Sequence, residues 1–194
     1  MQKISQYKNI AVFGGKFDPP HLAHQIIIFL LLERYAMGHV LVVPSYSHPF
    51  NYKQTNFSLR MKMCDILINP WKKSGAVSVS GIEEKIGTTP VYTIDLLKEL
   101  EKKYNTSFYL AIGEDNWKSR DRWKSFKAVE KKASPIIIGR GKCSDNEFFP
   151  LPDISSTLIK KRIAENRSAA HLLPVGMERF INKNNLYREK KSER

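Results

Sequence analysis

The chain has 194 residues, with 32 Lys and Arg against 19 Asp and Glu, giving a formal net charge of +13. That length suits one domain with a real core, and no run of ~18 apolar residues is present to span a bilayer. Cys64 and Cys143 are isolated without metal-ligand spacing and residues 1–9 show no signal-peptide pattern, so a reduced cytoplasmic chain without a disulfide framework is expected.

Taken in order, residues 10–13 form a short apolar run that reads as a buried strand. Gly14 and Gly15 follow, where the backbone can turn sharply and approach a ligand closely. Pro19 and Pro20 stop the strand, and Pro20 suits the opening of a helix over 21–37, ended by Gly38. A second strand over 39–43 completes a βαβ unit with a right-handed crossover. Residues 45–56, which include Lys53, form a polar and aromatic loop at a strand's carboxyl end, where open α/β sheets bind ligands. A helix over 57–68 ends at Asn69-Pro70. A short strand over 76–79 and a polar loop over 83–89 come next. Val91, Ile94, Leu97 and Leu100 then give a helical period over 90–104.

A further strand over 107–112 leads into Gly113-Glu114-Asp115, and Ile136 to Ile138 mark another over 135–139. Residues 141–152 read as an irregular loop. Ser155 or Ser156 caps a helix that runs to about Asn166, and a last helix follows Pro174. Strands alternating with helices predict a Rossmann-like α/β fold, with a mostly parallel sheet covered on both faces. A single domain over 1–187 and a basic tail over 188–194 are expected. The positive charge favours polyanions, although most of these lysines read as solvated surface.

Three places carry chemistry. His21 and His24 share a helix face at an expected N-terminus, where free N–H groups and imidazoles suit phosphate oxygens. The alternative is an ordinary βα turn, since neither G-x-x-x-x-G-K-[ST] nor G-x-G-x-x-G is present. Asp115 at a strand end suits ribose hydroxyls or, equally, caps a helix. Ser155 to Lys160 places hydroxyls and a cation at a helix start, suited to a triphosphate tail or to capping alone. Trp117 and Trp123 suit ring stacking or core packing.

The run Gly14-Gly15-Lys16-Phe17-Asp18-Pro19-Pro20-His21-Leu22-Ala23-His24 resembles the G-G-x-F-D-P-x-H-x-x-H signature of the nucleotidyltransferase superfamily, with Lys16 where Ser or Thr is usual. Ile154-Ser155-Ser156-Thr157-Leu158-Ile159-Lys160 resembles its I-S-x-T-x-I-R signature, with Lys160 replacing the arginine. Lysine keeps the charge but loses the two-pronged hydrogen bonding. Within the superfamily, Tyr92-Thr93, Gly113-Glu114-Asp115 followed by Trp123, Arg140 at a strand end, and the closing run from Leu172 to Tyr187 resemble nicotinate mononucleotide adenylyltransferases. Their usual Pro-Pro-His-Lys run is here Ser47-His48-Pro49-Phe50-Asn51-Tyr52-Lys53.

The resemblance implies transfer of AMP from ATP to nicotinate mononucleotide, by in-line attack of the mononucleotide phosphate and without a covalent intermediate. It implies His21, His24 and Lys16 as catalytic residues. Gly14, Gly15, Phe17, Gly113, Asp115, Arg140, Ser156, Thr157 and Lys160 would bind ATP. Lys53, Tyr92, Thr93 and Trp123 would bind the mononucleotide. Mg²⁺ would bridge phosphates, held mainly by substrate oxygens and water, with no metal-ligating side chain assigned. A nucleic-acid partner is not expected. The competing readings are a transferase acting on nicotinamide mononucleotide or phosphopantetheine, and a non-catalytic nucleotide- or RNA-binding module.

Overall fold

The strands Ile10–Gly15 (β1), His39–Pro44 (β2), Val77–Val79 (β3), Phe108–Gly113 (β4) and Ala133–Ile138 (β5) form one sheet in the order β3-β2-β1-β4-β5. Every pairing is parallel. This computed structural model describes residues 4–46, 54–88, 90–139 and 152–188. The expectations placed on Lys53, Arg140, Cys143, the 47–53 run and nearly all of the basic tail lie outside the described residues. No described helix is long and apolar enough to cross a membrane.

Apolar runs in the strands follow from burial on both faces. Val12, Leu41, Leu110 and Ile112 point to one side and pack against Leu97 and Leu100 of the helix Thr93–Tyr104 (α4). Ala11, Phe13, Val40 and Val42 point to the other. There they meet Ile28 and Leu31 of Leu22–Glu33 (α1), and Cys64 and Leu67 of Phe57–Leu67 (α2). Met63 of α2 looks outward instead. It joins Ile159 and Ile163 of Ser156–Ala164 (α7) and Met177 and Ile181 of Met177–Lys183 (α8) in a separate core. The carboxyl-terminal helices are thereby docked onto α2. We number the remaining helices Ile82–Ile86 (α3), Glu114–Lys118 (α5) and Phe126–Lys132 (α6).

The chain runs outward from β1 through β2 to β3, then returns past β1 to β4 and β5. The order in which strands are added therefore reverses between β1 and β4, the switch point at which such sheets bind ligands. Pairing of β1 with β4 stops at Phe13–Ala111, while pairing with β2 continues to Gly15–Pro44. Beyond Phe13 and Ala111 the two central strands part, Gly14–Gly15 staying with β2 and Ile112–Gly113 with β5, and the crevice opens between them.

Several local expectations are corrected. Gly14 and Gly15 close a strand rather than make a turn, and the left-handed residue is Phe17 (φ 49°). Pro20 does not open α1. His21 is its extended N-cap (φ −144°, ψ 175°). The helix ends at Glu33, four residues short of expectation, and the chain reverses through left-handed Ala36 (φ 50°). The segment read as a polar loop contains α3, which buries Ile82 and Glu83 and stops at left-handed Gly87 (φ 73°). Strand β5 starts at Ala133, two residues early, and accepts Pro135 because it is an edge strand.

Candidate active site

The site is built outward from the end of β1. A Cβ on Gly14 would meet nothing within 4 Å, so this backbone opens onto free space. A Cβ on Gly15 would press on the Phe17 ring at 3.2 Å. Phe17 itself is buried, edge-on to Phe13 at 5.4 Å and 4.9 Å from the His24 ring. Its side chain supports the turn from beneath rather than facing a nucleotide.

His21 and His24 are brought together. Their ring centroids are 3.8 Å apart, and the His21 backbone N–H donates to His24 Nδ1 at 3.1 Å. Because Nδ1 accepts, a neutral His24 carries its proton on Nε2, which is a donor. His21 is only 4% exposed, so it belongs to the packed turn as well as to the site.

Asp18 is the hub. It is 3% exposed. It accepts from Lys160 Nζ (2.7 Å), the Tyr187 hydroxyl (2.7 Å) and the Thr55 backbone N–H (3.4 Å). Burial raises its pKa, but the hydrogen bonds from Lys160, Thr55 and Tyr187 outweigh this and hold the carboxyl below its ordinary value. Ser156 Oγ donates to the Pro19 carbonyl at 2.9 Å, while Ser155 is the N-cap, accepting from the Leu158 N–H. The start of α7 is therefore fastened to the 18–20 turn. Thr157 is exposed on its first turn. Burial and the neighbouring charge of Lys160 lower the Lys16 pKa, with Asp18 opposing. The two ammonium charges are thus near enough to act on each other, an arrangement complementary to polyphosphate.

Across the crevice, Gly113 is the N-cap of α5 and Asp115 is its second residue, so the cap assigned to Asp115 falls to Gly113. Trp117 and Trp123 flank Phe126 at 5.6 and 5.8 Å, and Arg120 lies 4.7 Å from the Trp117 ring. Both indoles are part of the packing beside α4 and α6. Tyr92 caps α4 and is exposed, with Lys124 Nζ 4.5 Å from its ring, and Thr93 is the first helical residue. His39 is a buried packing residue. It stacks on Tyr7 at 4.8 Å, bonds Ser78 Oγ at 2.8 Å, and is pushed by burial to a pKa of about 4.

Three residues beneath the site were not anticipated: Arg60, Glu83 and Tyr187. Glu83 is buried and accepts the Tyr46 N–H at 2.8 Å, and burial raises its carboxyl to about 7. The signal for Arg60 lay in the spacing. It shares a stripe with Met63, Cys64 and Leu67, one charge among residues that face the core.

A helix starting at the switch point of an all-parallel sheet is the Rossmann-like architecture. Residues 12–162 match the cytidylyltransferase-like family. A Chlorobium phaeobacteroides protein named "Probable nicotinate-nucleotide adenylyltransferase" is 33% identical over 197 residues, covering 92% of this chain and 98% of that one. A namesake from Anaeromyxobacter dehalogenans is 30% identical, covering 95% and 100%. The chain belongs to the nicotinate-nucleotide adenylyltransferase family. Its fold is shared with the Plasmodium falciparum nicotinic acid mononucleotide adenylyltransferase solved with NaAD (TM-score 0.72, 21% identity, 93% of this chain and 97% of that one). A Vibrio parahaemolyticus structure assigned to the same family has a TM-score of 0.75 at 23% identity, covering 94% and 97%.

Proposed function

We propose that this chain transfers AMP from ATP to nicotinate mononucleotide. A phosphate oxygen of the mononucleotide forms a bond to the α-phosphorus, and the bond from that phosphorus to the bridging β-oxygen breaks. Deamido-NAD and pyrophosphate leave. The acceptor phosphate is already a nucleophile at neutral pH, so the protein's work is positioning and charge stabilisation.

The observation that carries this reading is the paired His21–His24 start of α1 beside Lys16 and Lys160. The Nε2–H of His24 serves as a donor to oxygens that gain charge in the transition state. His21 holds that ring through its backbone N–H. Lys16, Lys160 and Thr157 bind the triphosphate, and Gly14 and Gly15 let it approach. Ser156 acts by fixing α7 to the turn. Asp115 and Gly113 take the adenosine ribose side. Tyr92, Thr93 and Trp123 lie at helix starts or turns suited to the mononucleotide, with Lys53 and Arg140 assigned by resemblance alone.

Mg²⁺ fits this donor set as an ion that phosphate oxygens and water would hold, and it would supply charge neutralisation there. The buried carboxylate at the turn, Asp18, already accepts from three donors. The cytoplasm is the setting we infer. The experiment is pyrophosphate release from ATP and Mg²⁺ with nicotinate mononucleotide, nicotinamide mononucleotide or phosphopantetheine as acceptor. Release with the first above the others is the expected result. Silence with all three would return the chain to a binding role.

A further inference from the structure

Arg60 is 1% exposed and is among the largest fully buried side chains in the molecule. No described carboxylate pairs with its guanidinium directly. Its hydrogen bonds go to backbone carbonyls instead. Nε donates to Thr55 O at 2.9 Å, and Nη1 to Lys16 O at 3.0 Å and Ser45 O at 2.7 Å. Nη2 donates to Tyr46 O at 3.3 Å. Four of the five N–H groups of the planar fork are thereby used.

These carbonyls belong to three separate stretches. Lys16 follows β1, Ser45 and Tyr46 follow β2, and Thr55 precedes α2. Asp18 and Glu83 act on this charge only from a distance; burying a charge without a directly paired carboxylate is costly, and an apolar side chain would pack this position at less expense. What an apolar side chain lacks is the ability to tie three loops into one geometry. Other bonds run along the same seam. Ser45 donates to the Gly15 carbonyl through both N–H (2.9 Å) and Oγ (3.1 Å). The Tyr46 N–H is held by Glu83, and the Thr55 N–H by Asp18.

We propose that Arg60 is a positioning residue for the adenylyl transfer: its guanidinium sets the Lys16 turn against the end of β2, and so fixes the phosphate side of the site relative to the acceptor side. It touches neither substrate. The inference rests on the reaction proposed above. In-line transfer depends on that relative placement, and a misplacement of about 1 Å can cost about 10²-fold. Each substrate should still bind, because each half of the site stays intact while the register between them loosens.

The test uses the full chain and the Arg60→Lys variant. Lysine keeps the charge but cannot bridge three stretches with a fixed fork. Turnover is measured per folded molecule, with KM determined separately for ATP and nicotinate mononucleotide. The expected result is a kcat lowered about 30- to 100-fold, with both KM values within about threefold of the wild type. A merely structural role would lower the folded fraction and leave kcat per folded molecule unchanged, and that result overturns the proposal. So does a kcat within threefold of wild type, or a loss that falls on one KM alone. If Arg60→Lys does not fold, Ser45→Ala decides, because it removes one smaller tie across the same seam. A kcat lowered several-fold at constant KM supports the proposal, and an unchanged kcat overturns it. Should the wild type prefer another acceptor of the panel, the reaction assignment fails and the same comparison is read with that acceptor. A wild type silent with every acceptor overturns both.

Discussion

Replacing Lys160 by alanine separates the two tasks this residue performs. Its Nζ lies 2.7 Å from an Asp18 carboxylate that is 4% exposed, while its own side chain is 36% exposed. Removing one partner of a fully buried pair costs about 3–5 kcal/mol. Water reaches Lys160, and Tyr187 and Thr55 continue to donate to Asp18, so we expect about 1–2 kcal/mol. That corresponds to roughly 2–8 °C in Tm for a chain of this size. The pH dependence has a definite sign. Asp18 titrates below its ordinary value of 3.8 when folded, so its contribution is present at neutral pH and is lost as pH falls through the folded pKa. Without Lys160, burial acts with less opposition and the folded pKa rises. Protonated Asp18 needs no cation, so the stability gap between variant and wild type should narrow on acidification from pH ~7 to pH ~4. In catalysis, loss of a charged contact to the triphosphate should raise KM for ATP about 10- to 100-fold, with a smaller change for the mononucleotide. Lys160→Arg should preserve or improve activity. Urea or thermal unfolding across pH, with KM for each substrate, checks both halves. A gap that widens on acidification refutes the electrostatic account, and equal KM changes refute the ATP assignment.

His24→Ala should lower kcat about 10²–10³-fold with little change in Tm. His21→Ala should lower kcat comparably and also destabilise, because its ring is buried in the turn; unchanged turnover in both removes the phosphate role of this helix start. Tyr187→Phe deletes one hydrogen bond to the Asp18 carboxylate and should cost about 1.5–3 kcal/mol by urea unfolding, an effect absent if that hydroxyl merely packs. His39 is held near a pKa of about 4 against 6.5 ordinarily, so the unfolded chain takes up the proton first and wild-type stability should fall between pH ~6.5 and ~4. His39→Gln should flatten that slope, and an unchanged slope would assign it to other groups. Nicotinate mononucleotide should exceed the amide in kcat/KM by roughly tenfold to a hundredfold, since its ring carboxylate adds a charge-assisted hydrogen bond near Thr93; a ratio near one would show that the acceptor choice of the family does not extend here.

The fold was legible because it is written in local signals. The strands announce themselves as apolar runs buried on both faces, and α4 as a clean period of Ile94, Leu97 and Leu100. The end of α1 was misread because 34–37 carries no helix breaker, and Ala36 turns left-handed only under the demand of the packed chain. Gly38 is required by contact rather than by turning: a Cβ there would lie 2.4 Å from the Lys8 carbonyl. The short α3 was missed because its five residues are mostly polar, and Glu83 is buried only to hold the Tyr46 amide. In the site, the closeness of His21 and His24 was legible from their spacing, and the place of Lys160 on the first turns of α7 from the hydroxyl run before it. The partnership of Asp18 with Tyr187, 169 residues away, was not, since no local pattern encodes a bond across that distance.

The two departures from the superfamily signatures make physical sense as a pair. Lys16 stands in place of a hydroxyl and Lys160 in place of an arginine, and the charge of Lys160 acts on Lys16 across the same turn. The fork that would grip phosphate from α7 is gone, and a second point charge has been added from the β1 side. Two ammonium groups held near one another repel, which is part of why Lys16 titrates low; a polyanion placed between them relieves that repulsion and draws on both charges. Asp18 keeps the arrangement from flying apart by neutralising Lys160 from below, through a carboxylate that the Tyr187 hydroxyl and the Thr55 amide hold in place. In the reaction proposed above, charge directed at phosphate would be fixed before substrate arrives, and the transition state would gain from it without reorganising the site. The same logic explains why the turn is tied so heavily from behind. A site that relies on point charges rather than on a bidentate fork must obtain its directionality from the backbone, and at the Lys16 carbonyl that backbone is gripped by Arg60.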